Sequence, residues 1–250
     1  MSSPEPVLWE ELTWEDAAAL RAKGMDMVIL PVGATEQHGR HLPLGVDTFS
    51  AGAVARGASA RTGIPVLPAL AYGCSLGHST KWPGTISLRP ETLSRTLVDV
   101  AEWIGAAGFH RILVLNGHYT NGAPLRAGLE TVRHEMRDMR VALRGLWELS
   151  PEIGRLYSQD AANFHANHAE TSLMLALRPD LVRRERAVAE PDRSAGRFFA
   201  YRVDQESEHG VVGDPTTATV EFGRRLLDLM VDTLAGQLAA ALKEEPPLGA

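Results

Sequence analysis

The stretch MVILPVGATEQHGRHLPLGVD, residues 27–47, decides the fold. Its first seven residues are an apolar run containing β-branched side chains and ending in glycine, the pattern of a strand buried on both faces. A second such run, RILVL at 111–115, ends in a similar break, NGH. Between the two, residues 47–62 are alanine-rich, open on Asp47 and stop before Gly63, which predicts a helix. Residues 91–107 carry Leu93, Leu97, Val100 and Ile104 at helical spacing. Working outward, Thr13 and Asp16 form a capping pair for a helix over 14–23, with Gly24 as its stop. IPVLPAL at 64–70 reads as a short strand weakened by its prolines. A helix is expected over 123–138, a strand over 140–146, a helix over 165–177, loops over 183–215 and a long helix over 216–242. The tail EEPPLGA is expected to fray. Strands alternating with helices predict an α/β fold, a three-layer sandwich with a mostly parallel central sheet covered by helices on both faces. One domain over residues 1–250 accounts for this pattern.

Composition narrows the function. The net charge of −6 gives no basic stripe for nucleic acid. The N-terminal MSSPEPVLWEEL has no apolar core of a signal peptide, and runs such as ILVL are far too short to span a bilayer. Cys74 is the single cysteine, so no internal disulfide forms and a reducing, cytoplasmic setting is expected. Leu226, Leu227, Met230, Leu234 and Leu238 of the last helix are expected to cover the chain's own sheet, an intersubunit interface being the alternative.

The segments that follow the two clear strands carry the chemistry. Glu36 and His38 are two apart, so an extended backbone places both on one face. Asp47 follows nine residues later at a helix start, where it can also serve as an N-cap. His118 ends the second strand segment, and Glu170 lies in HANHAETS. Ligands of open parallel sheets bind beyond the carboxyl ends of the strands, so two strand ends deliver donors to one edge. A lone histidine after a strand is usually a hydrogen-bonded surface group, and a lone Glu36 an exposed acid. The joint pattern points to a metal. Imidazole and carboxylate donors without thiolate suit zinc, manganese or iron(II). Asp47 is the candidate bridge between two ions. No glycine-rich loop matches a nucleotide-binding pattern.

Together PVGATEQHGRHLPLGVD, GHSTKWPGTISL, LNGHYTNG, HANHAETSLMLAL and GVVGDPTTAT resemble the creatininase (creatinine amidohydrolase) family, from about Leu30 to Gly223. The resemblance implies an α/β sandwich, two divalent ions per subunit (zinc first, then manganese or iron), hydrolysis of non-peptide or unusual amide C–N bonds, and a homohexamer. It implies metal ligation by Glu36, His38, Asp47 and His118, a site glutamate at Glu170, and a catalytic or substrate-contacting histidine at His165. It also places His78 in a substrate-proximal loop. Two positions depart from the family. Thr120 stands where creatininases carry an acidic metal ligand, which leaves Glu170 or water to complete the second ion. Phe164 replaces the acid before His165. Relatives within the family include a deformylase of a formylaminopyrimidine nucleotide and the peptidase that trims the mycofactocin precursor.

The expected reaction is metal-assisted hydrolysis of a small amide or a short peptide. Either His165 or Glu170 donates a proton to the leaving nitrogen; for His165 alone, helix capping is the bland alternative. Tyr119, Trp82 and Trp147 are expected at the substrate pocket, His41 behind the ligands, and Asn116 and Asn121 as partners orienting His118, while His168 is expected to face solvent. The glycines at 33, 39, 45, 117 and 122 are expected in tight turns. A peptidase acting on peptide C-termini and a catalytically silent metal- or ligand-binding subunit are the competing readings.

Overall fold

The computed structural model describes residues 5–78 and 80–248. The start of the N-terminal stretch, one serine of the loop before Trp82 and the end of the EEPPLGA tail lie outside the described residues. Elements run α1 (Trp14–Ala22), β1 (Met27–Val32), α2 (Val46–Thr62), α3 (Pro90–Ala106), β2 (Arg111–Asn116), α4 (Gly122–Glu135), β3 (Arg140–Gly145), α5 (Pro151–Tyr157), α6 (His168–Leu177), α7 (Val203–Glu206) and α8 (Val220–Ala241). The α1 cap is as expected: the Thr13 hydroxyl accepts the Asp16 N–H at 3.2 Å and the Asp16 carboxylate accepts the Thr13 N–H at 2.9 Å.

The described strands form one parallel sheet in the order β1-β2-β3, with Met27 opposite Arg111 and Arg111 opposite Arg140. Alternate strand residues feed two cores. Val28, Leu30, Val32, Ile112 and Val114 pack with Leu93, Leu97 and Ala101 of α3 and Leu125 and Val132 of α4. Ile29, Leu113 and Leu115 pack on the other face with Val54 and Ala58 of α2 and Leu226, Met230, Leu234 and Leu238 of α8. The last helix therefore covers its own sheet. No helix among the described residues is long and apolar enough to cross a membrane.

Several boundaries differ from the sequence reading, each for a local reason. IPVLPAL lies along the open edge of β1 as isolated bridges, Val66 to Ile29 and Leu70 to Val32, because Pro65 and Pro68 have no N–H for a continuous ladder. Asp47 is not an N-cap. Gly45 precedes the helix, and Asp47 sits inside the first turn of α2 with its side chain free for other work. Helix α6 begins at His168, not His165. Ala166 has φ +50°, which no α-helix continues, and the Asn167 side chain caps the helix by accepting the Glu170 N–H. Helix α8 starts at Val220 because Pro215–Thr217 forms a 3-10 turn and Thr219 takes the cap. The tail does not fray at its first residues: Arg140 donates to the Glu244 carbonyl and pairs with the Glu245 carboxylate at 3.0 Å.

Candidate metal centre

The carboxyl ends of β1 and β2 and the first turn of α2 meet at van der Waals distance. A Cβ on Gly33 would lie 2.4 Å from the Thr48 backbone nitrogen, and one on Gly117 would lie 2.4 Å from the Asp47 carbonyl oxygen. Only glycine permits this approach. It brings Asp47 against the EQH segment after β1 and against His118 after β2.

Seven titratable side chains converge there, all buried except the partly buried His165. Glu36 Oε2 is 3.2 Å from His118 Nε2, and Glu36 Oε1 is 3.2 Å from His78 Nε2, 3.8 Å from His165 Nδ1 and 3.9 Å from His38 Nε2. The two Asp47 oxygens face different histidines: Oδ1 is 3.2 Å from His38 Nε2 and Oδ2 is 3.5 Å from His118 Nδ1. Three sets offer donor atoms within 4.8 Å of one another: Glu36, His38 and His165; Glu36, His78 and His118; His38, Asp47 and Glu170. Glu36 is 0% and Asp47 2% exposed, yet Glu36 Oε1, Glu36 Oε2 and Asp47 Oδ2 accept no hydrogen bond in the described structure. Buried carboxylate oxygens left bare are costly unless a cation fills the gap. The donor set is that of a two-ion site for borderline and hard divalent metals.

The electrostatics agree. Burial works against charge on His38, but the Asp47, Glu170 and Glu36 carboxylates override it and raise the ring to about 10. His118 is likewise raised to about 9 by Glu36 and Asp47 against burial. His78 is pulled down to about 4 by burial, and His165 well below its ordinary value by burial and the neighbouring His38 and His78 rings. Burial lifts Glu170 to about 7 and raises Asp47 as well. The Tyr157 phenol is pushed well up by burial and the nearby Glu170 and Asp47 charges.

Supporting contacts hold these groups in place. The left-handed Ala166 turns its N–H onto Glu170 Oε2 at 2.6 Å, and His165 pairs with Val212 through both backbone groups. Thr120, where an acid is expected from the family, faces the site as a hydroxyl. It donates to the Cys74 carbonyl and lies 2.5 Å from His118 Nε2. Since a carbonyl only accepts, and Cys74 O is 3.2 Å from the same nitrogen, Nε2 carries the proton and Nδ1 is directed at Asp47. Asn116 binds the backbone of His118 rather than its ring, and Asn121 ties together the Gly33 carbonyl, Asn116 and the Cys74 N–H. His41 Nε2 is 2.9 Å from the hydroxyl of Thr171, the neighbour of Glu170 in the chain. His168 binds the Thr217 hydroxyl and packs on Phe222. Tyr119 is 69% exposed, 5.7 Å from Trp147 between ring centroids. The Lys81 ammonium lies over the Trp82 ring, 4.7 Å from its centroid.

Sequence reasoning missed Gln37. It is buried between the two EQH donors, and its amide nitrogen is 3.2 Å from His78 Nδ1 and 3.1 Å from His165 Nε2. Those partners are 41 and 128 residues away, so no local pattern marks them.

The centre is that of a metal-dependent hydrolase with donors for two ions. The creatinine amidohydrolase family profile matches residues 10–238, and the chain belongs to the creatininase family. It is 33% identical to the creatinine amidohydrolase of Pseudomonas putida over 95% of this chain and 96% of that protein. It is 36% identical to the mycofactocin precursor peptide peptidase of Mycobacterium tuberculosis over 85% and 84%. Its fold superimposes on a mutant creatininase in the zinc–zinc form with TM-score 0.87, at 30% identity, covering 96% of this chain and 99% of the other.

Proposed function

We propose that this chain is one metallohydrolase domain that cleaves an amide C–N bond in a small molecule. The observation that carries the reading is the set of three buried carboxylate oxygens, on Glu36 and Asp47, without hydrogen-bond donors and surrounded by four imidazoles. Glu36, His38, Asp47, His118 and Glu170 would hold two divalent ions, zinc before manganese or iron, with Asp47 as the shared ligand; when bound, the ions would lower the pKa of a water into the neutral range and polarise the amide carbonyl.

The chain's own groups do the remaining work. His165 donates Nε2–H to the Gln37 carbonyl at 2.8 Å, which leaves Nδ1 as a proton acceptor facing the centre. The proton for the leaving nitrogen would come through His165 or Glu170, the two groups of the chain placed beside the centre that can carry one. His78 and Tyr119 contact the substrate, with Trp82 on the loop that follows His78. The cytoplasm and a homohexamer are the setting that goes with this reading.

A second reading, a peptidase trimming a short peptide C-terminus, draws on the exposed Phe198, Phe199 and Tyr201. They precede α7, which packs against the 3-10 turn that carries His78. That surface suits an extended apolar peptide.

The test is elemental analysis of the purified protein together with turnover of creatinine, N-formyl compounds and short peptides, before and after chelation. Two ions per chain and hydrolysis that vanishes with them are expected. Metal binding without any amide cleavage would favour a silent binding subunit, and hydrolysis that survives chelation would end the metal reading.

A further inference from the structure

Resting on that metal-centre reading, we propose that Gln37 is a positioning residue that fixes His78 as the Nε2–H tautomer. His78 then enters the site as a hydrogen-bond donor and not as an ion ligand.

The orientation of the Gln37 amide is set by its oxygen, which accepts the Gly39 N–H at 2.9 Å. The amide nitrogen is therefore the atom 3.2 Å from His78 Nδ1, and an NH₂ group only donates. Nδ1 must accept, so the neutral ring carries its proton on Nε2, the atom 3.2 Å from Glu36 Oε1. The same residue handles His165 through its backbone. The Gln37 carbonyl takes the His165 Nε2–H at 2.8 Å; the 3.1 Å approach of the amide nitrogen to that Nε2, donor against donor, is a packing contact. One residue thus sets two rings, 4.5 Å apart between centroids, in opposite senses. His165 offers a lone pair to the centre and His78 offers an N–H.

Gln37 has no room to turn. Gly210 closes over it so tightly that a Cβ there would lie 1.9 Å from Gln37 Oε1. Gly210 in turn is anchored through Ser207, whose hydroxyl accepts the Gly210 N–H at 2.7 Å and donates to the buried Glu190. Glu36 Oε1, although 3.2 Å away, accepts no hydrogen bond, so a donor so placed is free for a carbonyl or carboxylate oxygen of the substrate.

Two measurements decide this. The first is metal content of His78→Gln against the parent, both loaded with zinc. Equal stoichiometry is expected, and loss of one ion per chain would make His78 a ligand and overturn the proposal. The second is the long-range ¹H–¹⁵N spectrum of the histidine rings, with His78 assigned by its disappearance in that variant. Protonated Nε2 and bare Nδ1 are expected in the parent; a proton on Nδ1 overturns the proposal. Gln37→Glu, whose carboxylate only accepts, should move that proton to Nδ1 and lower kcat by about 10- to 100-fold while zinc stays bound. An unchanged His78 tautomer in a folded Gln37→Glu variant would count against it. Should that variant fail to fold, the parent spectrum and the His78→Gln stoichiometry still decide. A parent protein that takes up no zinc would end the metal-centre reading, and its ring spectrum would still decide the tautomer.

Discussion

At the amino ends of β2 and β3, Arg111 meets the Asp26 carboxylate at 2.5 Å and Arg140 meets Glu245 at 3.0 Å, with the outer partners in contact with water. At the carboxyl ends of β1 and β2, Glu36 and Asp47 are sealed from water and three of their oxygens have no hydrogen-bond donor. The same sheet therefore carries charge in two ways. One end neutralises it within the chain, through the partly buried Arg111–Asp26 pair and the exposed Arg140–Glu245 pair, of which the exposed one contributes little. The other end leaves buried charge incomplete, an arrangement that costs stability unless a cation completes it. The contrast separates charge that serves the fold from charge that serves chemistry.

The most severe way to test that contrast is Glu36→Gln. We expect loss of bound metal and a fall in turnover of at least about a thousandfold, equivalent to about 4 kcal/mol on the barrier. Elemental analysis and kcat measure both, and an active variant with full metal content would erase the distinction between the two ends.

Removing the ions should come next in size. With free metal at about a thousand times its Kd, binding adds about 4 kcal/mol to unfolding, so chelation should lower the unfolding free energy read from a urea melt by that amount. Uptake must displace protons from His38 and His118, so affinity should strengthen as pH rises. In the ion-free chain the sign is the opposite. Rings raised from 6.5 to about 10 and about 9 give stability that is fully present below pH 6.5 and lost as pH climbs through those higher values. Urea melts of chelated protein across that range would show it.

Thr120→Val keeps the shape of the side chain but removes the hydroxyl beside His118 Nε2. Metal affinity should weaken about 10- to 100-fold, with Thr120→Ser restoring most of it. Titration with a competing chelator reads the change, and equal affinities in all three proteins would show that the hydroxyl merely fills space.

Glu190→Gln probes a buried charge that is fully satisfied. Glu190 accepts from Ser207, Glu208, His209 and Arg193, and these donors outweigh burial and hold its carboxyl near about 2. A loss of about 2 kcal/mol is expected. The parent's share of this stability should be present above pH 4.5 and disappear as pH falls toward about 2, so the two proteins should converge in acid melts. The smallest effect belongs to Glu245→Gln at the opposite end of the sheet, whose pair with Arg140 is exposed, under about 1 kcal/mol with metal content unchanged. A drop in bound metal there would mean the two ends are coupled.

Much of the frame was legible in the chain because its signals are local. The apolar runs at 27–33 and 111–115, the helical spacing of Leu93, Leu97 and Ile104, and the Thr13–Asp16 cap each lie within a few residues. So do the paired donors Glu36 and His38. Helix α5 was passed over although Ser150 and Pro151 form a cap and first-turn signal; its seven residues are too few for a clear period. What could not be read depends on distant partners. Asp47 resembled a cap until α2 was seen pressed onto Gly33 and Gly117. The roles of Gln37 and Glu190 exist only once residues 183–215, which look featureless in sequence, fold back over the EQH segment.

The two glycines under α2 have a consequence for metal exchange. Because backbone rests on backbone there, the helix has no slack with which to sag inward when an ion departs. The spacing of Asp47 from the two strand ends is thereby set by main chain, so the framework that receives one divalent species is the framework that receives another.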